Sequence, residues 1–278
     1  MSPLDFTLVT LAVSIVAGFF GSLLGLGGGM IVTPVLTLAL GVDIRYAIGA
    51  SIVSVIATSS GAAAAYVRQH KTNIRVAMFL ETGTTLGAIT GAWLSTRIDP
   101  QWLYLIFGII LAASSIAMFR RRQEADGPVP PDATADRLRM HGEFFDESIQ
   151  RTVAYRVSGS RPALGLMYIA GILSGLLGIG SGSLKVPAMD LSMRLPLKVS
   201  TATSNFMIGV TAAASAGVYF LRGDIVPFIA APVVAGVLIG ATIGSRLMGR
   251  IDNRVLRMVF VVVLMIVSIQ MILKGVRG

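Results

Sequence analysis

The chain alternates long uncharged apolar stretches with short charged ones. Each apolar stretch holds close to the ~20 residues that a helix needs to cross a ~30 Å hydrocarbon core. Six such stretches lie at about 46–66, 76–96, 101–119, 199–221, 225–245 and 255–273. The pattern therefore predicts six membrane-spanning helices.

Two further apolar stretches are interrupted by glycine. No charge occurs from Phe6 to Val42, and one straight helix of that length would extend about 55 Å, too long for a single crossing. The glycine cluster at 25–29 destabilises a continuous helix. We therefore predict a helix, a break and a short piece over 30–40. A second set begins at about Ala163, breaks at Gly178–Ser183 and ends at Met193.

The two interrupted stretches belong to an internal repeat with a constant offset of 153 residues. The matched pairs include Gly18 with Gly171, Leu23 with Leu176, Gly27 with Gly180, Pro34 with Pro187, Ser51 with Ser204, Thr58 with Thr211, Tyr66 with Tyr219 and Gly83 with Gly236. We predict a first membrane repeat over 1–119, a cytoplasmic linker over 120–162 and a second membrane repeat over 163–278. The linker is the only long polar segment, and we expect a loop with a short ordered or interfacial piece.

Two topologies remain possible for these repeats. If each interrupted stretch crosses fully, the chain has eight spans and the repeats are parallel. If each is a re-entrant hairpin, a repeat crosses three times and the second copy is inverted. Cytoplasmic loops are enriched in Lys and Arg, and the hairpin topology separates these residues 17 against 5, compared with 14 against 8. It is the topology that we favour, with both termini outside.

Composition supports a polytopic, all-α membrane protein. The chain is 54% hydrophobic and 13% charged, with a mean hydropathy of +0.77, whereas soluble domains are about a quarter charged. It has no cysteine, and its two histidines, His70 and His141, are far apart. We expect no enzyme, no metal site and no cofactor. The net charge of +9 is better explained by basic loops of a membrane protein than by nucleic-acid binding.

The glycine breaks are candidate binding sites for an anion. The first turn of a helix has free N–H groups and about half a positive charge, and glycine lets a ligand approach them closely. Broken helices of this kind bind anionic substrates in transporters with inverted repeats. The candidate residues are Gly27, Gly28, Gly29, Met30, Gly180, Ser181, Gly182 and Ser183. The alternative is that these glycines only allow close helix packing, as we expect for Gly83, Gly87 and Gly91 and for their repeat partners.

Two charged residues in apolar surroundings extend this candidate site. Lys185 lies three residues after Gly182, and a membrane-buried lysine is usually functional. It would attract the anion, or else pair with Asp190 or extend to a lipid headgroup. Glu81 would bind a coupling ion, a proton or a cation such as sodium, or else pair with Arg75.

Hydroxyl and amide side chains complete the candidate set. They would hydrogen-bond substrate oxygens or simply join helices. These residues are Ser51, Thr203, Ser204 and Asn205.

The segments 21–34, 144–157, 175–193 and 196–217 resemble the TauE/SafE family of sulfite exporters. The most specific of them are GSLLGLGGGMIVTP, GLLGIGSGSLKVPAMDLSM and PLKVSTATSNFMIGVTAAASAG, and the resemblance covers nearly the whole chain. One departure is Ser181, which stands where the first repeat has Gly28.

The resemblance implies a secondary transporter, an exporter of small anions such as sulfite, sulfonates or related organic anions, in the bacterial inner membrane. Its expected partners are the anion, the lipid bilayer and a coupling proton or sodium ion; a homodimer is compatible with the sequence. A passive anion channel and a non-transporting membrane assembly subunit are the alternatives.

Overall fold

The computed structural model describes residues 2–24, 27–120, 129–146, 150–180, 182–247 and 253–277, and these are mostly helical. The first part of the chain forms five helices. They are α1 (Pro3–Leu24), α2 (Gly29–Pro34, continuing as a π-helix over Val35–Ala39), α3 (Ile44–Arg68), α4 (Ile74–Leu94) and α5 (Pro100–Arg120). The last part also forms five. They are α7 (Ser160–Leu177), α8 (Gly182–Met193), α9 (Leu197–Leu221), α10 (Pro227–Leu247) and α11 (Asn253–Arg277).

Five of the described helices are long and apolar enough to cross a membrane. These are α1, α3, α7, α9 and α10, and the apolar part of α5 is shorter. Together with the apolar composition, they make the chain a multi-pass, helical membrane protein. The six spans predicted from the hydropathy pattern coincide with α3, α4, α5, α9, α10 and α11 to within four residues at the ends.

The predicted interruptions coincide with helix ends. Helix α1 ends at Leu24 and α2 begins at Gly29, while α7 ends at Leu177 and α8 begins at Gly182. Gly27 and Gly180, which match in the repeat, have φ of 77° and 74°. That left-handed conformation is readily available only to glycine, so these two positions within the breaks favour glycine.

The chain reverses direction after α1. Gly28 lies beside Ala17 and Gly21, one to two turns back along α1. Thr37, in the π-helix after α2, accepts a hydrogen bond from Lys274 near the end of α11. The segment after Leu24 therefore folds back along α1, and the chain then continues into α3 at Ile44.

Contacts between helix ends define two faces of the molecule. Face one holds the start of α3; there Gly49 packs against the Asp224 backbone, and the rings of Phe6 and Phe228 stack 5.7 Å apart at the starts of α1 and α10. Face two holds the end of α3 and the start of α4, where the Asn73 backbone N–H donates to Thr203 at the start of α9 over 3.0 Å.

Glycines allow the closest helix pairs. Gly240 and Gly244 of α10 pack against the backbone of α1 at Ile15 and Phe19. A Cβ at either position would overlap that backbone, which is the close approach expected of small residues between membrane helices. Gly240 and Gly244 therefore have the role predicted for them, which is to let two helices pack closely.

Gly87 and Gly91 of α4 meet Tyr168 and Ile172 of α7 in the same manner. Because successive glycines meet successive turns in rising order, α4 and α7 run parallel, as do α1 and α10.

The polar segment between the two membrane parts is more ordered than the sequence suggested. Helix α6 (Ala133–Arg137) precedes an antiparallel pair of strands, β1 (Gly142–Asp146) and β2 (Arg151–Tyr155), with Gly142 opposite Tyr155. The hairpin docks on face two, where Phe144 joins a core with Met189 and Met193 of α8. Residues 121–128 and 147–149 of the predicted linker lie outside the described residues.

Candidate functional site

The two helix breaks contact each other at the centre of the molecule. Ser51 of α3 donates a hydrogen bond of 2.7 Å from its Oγ to the carbonyl of Gly178. Gly29 lies directly against the same carbonyl, and Gly27 lies beside the carbonyl of Ile179. The start of α2 and the break after α7 therefore form one unit, although they are about 150 residues apart in sequence.

The surroundings of this contact are apolar and tightly packed. Val55 of α3 and Ile208 of α9 enclose Gly27 and Gly180 from either side. Met30 is buried in the same core cluster. A Cβ on Gly29 would overlap Ser51 and Gly178, so this position requires glycine.

Lys185 is fully buried, at 0% exposure, one turn into α8. Its Nζ donates to Thr211 Oγ1 of α9 over 2.5 Å and lies 3.9 Å from Glu81 Oε2 of α4. Thr211 donates in turn to Glu81 Oε1 over 2.6 Å. The hydroxyl thus bridges a buried ammonium and a buried carboxylate. We name Lys185, Thr211 and Glu81 the charged triad.

The charged triad brings together Lys185 and Glu81, which the sequence alone did not connect. Glu81 contacts Lys185 rather than Arg75, whose Nη1 donates to the Arg139 carbonyl. Thr211 was not among the candidate site residues. The available signal was its match to Thr58 in the repeat, but a threonine on an apolar helix does not show which residues it bonds.

Glu81 retains an unused acceptor. Thr85 donates to its Oε1 over 3.2 Å, while Oε2 is buried and accepts no hydrogen bond from the described residues. A buried carboxylate oxygen without a donor is costly, and protonation or a bound ligand would remove that cost.

Two of the remaining candidate residues, Asn205 and Thr203, join helices. Asn205 Nδ2 donates to the Ser22 carbonyl of α1 over 3.0 Å, and Thr203 accepts from Asn73 on face two. Ser204 is buried in α9. Ser181 and the side chain of Ser183 lie outside the described residues. Among the described residues, no three His, Asp or Glu side chains are placed to hold a metal ion.

The family model for the sulfite exporter TauE/SafE matches residues 10–271. The chain belongs to the TauE/SafE family. The match includes both breaks and all three residues of the charged triad.

Relatives of this TauE/SafE member carry transporter names. The probable membrane transporter protein YunE of Bacillus subtilis is 27% identical over 235 residues, covering 82% of this chain and 83% of YunE. A probable membrane transporter protein of Xylella fastidiosa strain 9a5c is 30% identical over 225 residues, covering 81% and 77%. No solved structure matches the chain significantly. The chain is therefore a multi-pass membrane protein of a transporter family.

Proposed function

We propose that this protein is a secondary transporter that exports a small anion, such as sulfite, a sulfonate or a related organic anion, across the bacterial inner membrane. The observation that carries the proposal is Lys185: a fully buried cation one turn into α8, close in sequence to the contact between the two breaks. Removing an ammonium from water is costly, and a site for a negative charge explains why it is retained.

The binding site in this proposal lies where the two breaks meet. Gly27, Gly28, Gly29, Gly180 and Gly182 would present backbone N–H groups to the anion, as half-helices do in other transporters. Met30 and Ser51 would line the site, and Ser181 and Ser183, which flank Gly182 in the sequence, are proposed to contribute to it. Thr203, Ser204 and Asn205 would support it by holding α9 against its neighbours.

The architecture that we propose is a pair of inverted repeats over 1–119 and 163–278, each with a re-entrant hairpin and three crossings. Contacts related by the 153-residue offset support it. Tyr66 donates to the Ser22 carbonyl, and the matching Tyr219 donates to the Gly175 carbonyl. The pairing of α1 with α10 corresponds in the same way to that of α7 with α4. In this architecture the segment over 120–162 is cytoplasmic and both termini lie outside.

Charge balance in the site suggests the coupling ion. The charged triad contains one ammonium and one carboxylate, which neutralise each other across Thr211. A bound monoanion would leave one uncompensated negative charge in a buried setting, which is strongly unfavourable. Protonation of Glu81 would restore neutrality and free Lys185 for the anion. We therefore propose that a proton accompanies the anion through Glu81.

Binding by the purified protein tests the substrate class. Full-length protein in detergent is heated with sulfite, sulfate, thiosulfate, methanesulfonate or acetate. A ligand at 100 times its Kd stabilises the folded state by about 2.7 kcal/mol, so one anion class should raise the melting temperature and the others should not.

Lys185→Met is the informative variant for this measurement, and Lys198→Met, in a partly exposed ion pair with Asp146, is its control. The proposal expects the anion effect to vanish only in Lys185→Met. No stabilisation by any anion, or equal stabilisation of both variants, contradicts it.

A further inference from the structure

A cavity lies on face one, away from the helix breaks. It has a volume of about 640 Å³ and opens between the start of α5, the end of α11 and the π-helix that follows α2. Its lining residues are Leu38, Pro100, Gln101, Tyr104, Gln270, Leu273, Lys274 and Arg277. None of them belongs to the breaks or to the charged triad, so the proposed transport site does not account for this cavity.

The polar part of the cavity is suited to a negative charge. Lys274 and Arg277 lie one turn apart at the end of α11, and neither forms an ion pair with a described carboxylate. Gln101 and Gln270 add amide donors. Asp43 acts electrostatically on Tyr104 at one wall, and Lys274 and Arg277 are the two cations that line the cavity.

Lys274 is held in a fixed position at the cavity wall. Its Nζ donates to the Thr37 carbonyl over 2.8 Å and lies 5.0 Å from the centre of the Tyr104 ring. An ammonium has three donors, so it can still donate to a ligand while it keeps the bond to Thr37. The cavity therefore contains at least one cation, Lys274, whose position is fixed by its protein contacts.

The other part of the cavity is apolar and lies beside exposed apolar side chains. Leu38, Pro100 and Leu273 line it, and Leu273 is 47% exposed. Trp102, next to Gln101, is 59% exposed. Tryptophan is enriched where a membrane protein meets the headgroup layer, so we expect the cavity to lie near that layer.

We propose that this cavity binds the phosphate headgroup of an anionic phospholipid, with Lys274 and Arg277 contacting the headgroup and the Leu38–Leu273 side receiving the start of an acyl chain. A free anion would use the cations but leave the apolar wall without a function. Because Lys274 also holds Thr37, the bound lipid would stabilise the segment that leads from the first break.

Lipid titration of the full-length protein in detergent tests this inference. Native mass spectrometry measures binding of dioleoyl phosphatidylglycerol, with dioleoyl phosphatidylcholine and inorganic phosphate as separate arms. Arg277→Gln removes a cavity cation with no ion pair to a described carboxylate. Arg97→Gln removes a cation that stacks on Trp93, outside the cavity lining, and is the matched control.

We expect phosphatidylglycerol to bind more tightly than phosphatidylcholine, and Arg277→Gln to weaken it about fivefold while Arg97→Gln leaves it unchanged. Lys274→Gln should weaken it at least as much. Equal binding of the two lipids, equal effects of the two arginine variants, or full competition by inorganic phosphate would each overturn the lipid assignment.

Discussion

At the scale of single residues, the charged triad is the most informative feature of the molecule. A lysine and a glutamate are both taken out of water, which costs several kcal/mol per ion unless each finds partners. Thr211 supplies one: its hydroxyl accepts from Lys185 and donates to Glu81. Because that one hydroxyl bonds both charged groups, Lys185 and Glu81 compensate each other through a single uncharged side chain.

The charged triad should respond more to loss of one charge than to loss of both. Lys185→Met alone leaves the Glu81 carboxylate buried without its cation, and we expect a loss of about 3–5 kcal/mol in stability at neutral pH. The double variant Lys185→Met/Glu81→Gln removes both charges and should recover most of that loss. Thermal unfolding of the two variants in detergent measures the difference.

Lys198→Met is the control for that cycle, because its partly exposed pair with Asp146 should contribute less than about 1 kcal/mol. A double variant as unstable as the lysine single variant would show that Lys185 and Glu81 do not compensate each other.

At the scale of helices, glycine positions determine which elements touch. Gly171 of α7 lies against the Thr84 carbonyl of α4, and Gly175 lies against that of Ala88. These contacts bring two backbones together without side chains between them. Since lipid provides no hydrophobic drive between helices, close packing of this kind supplies much of their association.

Two alanine substitutions in the same helix should therefore have opposite effects. Gly171→Ala forces α7 away from α4, and we expect a loss of about 1–3 kcal/mol. Gly165→Ala adds a methyl group where nothing lies within 4 Å, and it should stabilise α7 by up to about 1 kcal/mol through helix propensity. Melting temperatures of the two variants compare these effects. Equal destabilisation would show that spacing from α4 is not the cause.

The helices could be predicted because hydropathy and glycine act locally. The ends of α1 at Leu24 and of α7 at Leu177 follow from the glycines after them. The β1–β2 hairpin was missed because it depends on packing of Phe144 against α8, a contact that no local pattern shows. The pairing of Glu81 with Lys185 was missed for the same reason, since the two lie 104 residues apart in sequence.

At the scale of the whole molecule, the proposed topology sets the positions of the chain ends. Helices α1, α3 and α10 begin at one face, and the β1–β2 hairpin docks at the other. An odd number of crossings per repeat requires the polar middle segment and the end of α11 to lie on opposite sides of the membrane. The eight-span alternative requires the same side.

Single cysteines can separate these topologies, because the chain has none of its own. Pro130→Cys replaces an exposed residue of the polar middle segment. Val276→Cys replaces a side chain that is 71% exposed at the end of α11. An impermeant maleimide applied to intact spheroplasts should label residue 276 but reach residue 130 only after permeabilisation. Labelling of both from the same side would exclude the inverted arrangement.

Anion flux through reconstituted protein tests whether Lys185 and Glu81 carry proton-coupled anion transport. Proteoliposomes loaded with the anion that stabilises the purified protein are given a pH gradient, and its release is followed with wild type, Lys185→Met, Glu81→Gln and the control Lys198→Met. We expect wild type and the control to release the anion faster when the liposome interior is more acidic than the outside. In Glu81→Gln the rate of release should no longer depend on pH. In Lys185→Met release should be abolished. Release by Lys185→Met at the wild-type rate would contradict the proposal.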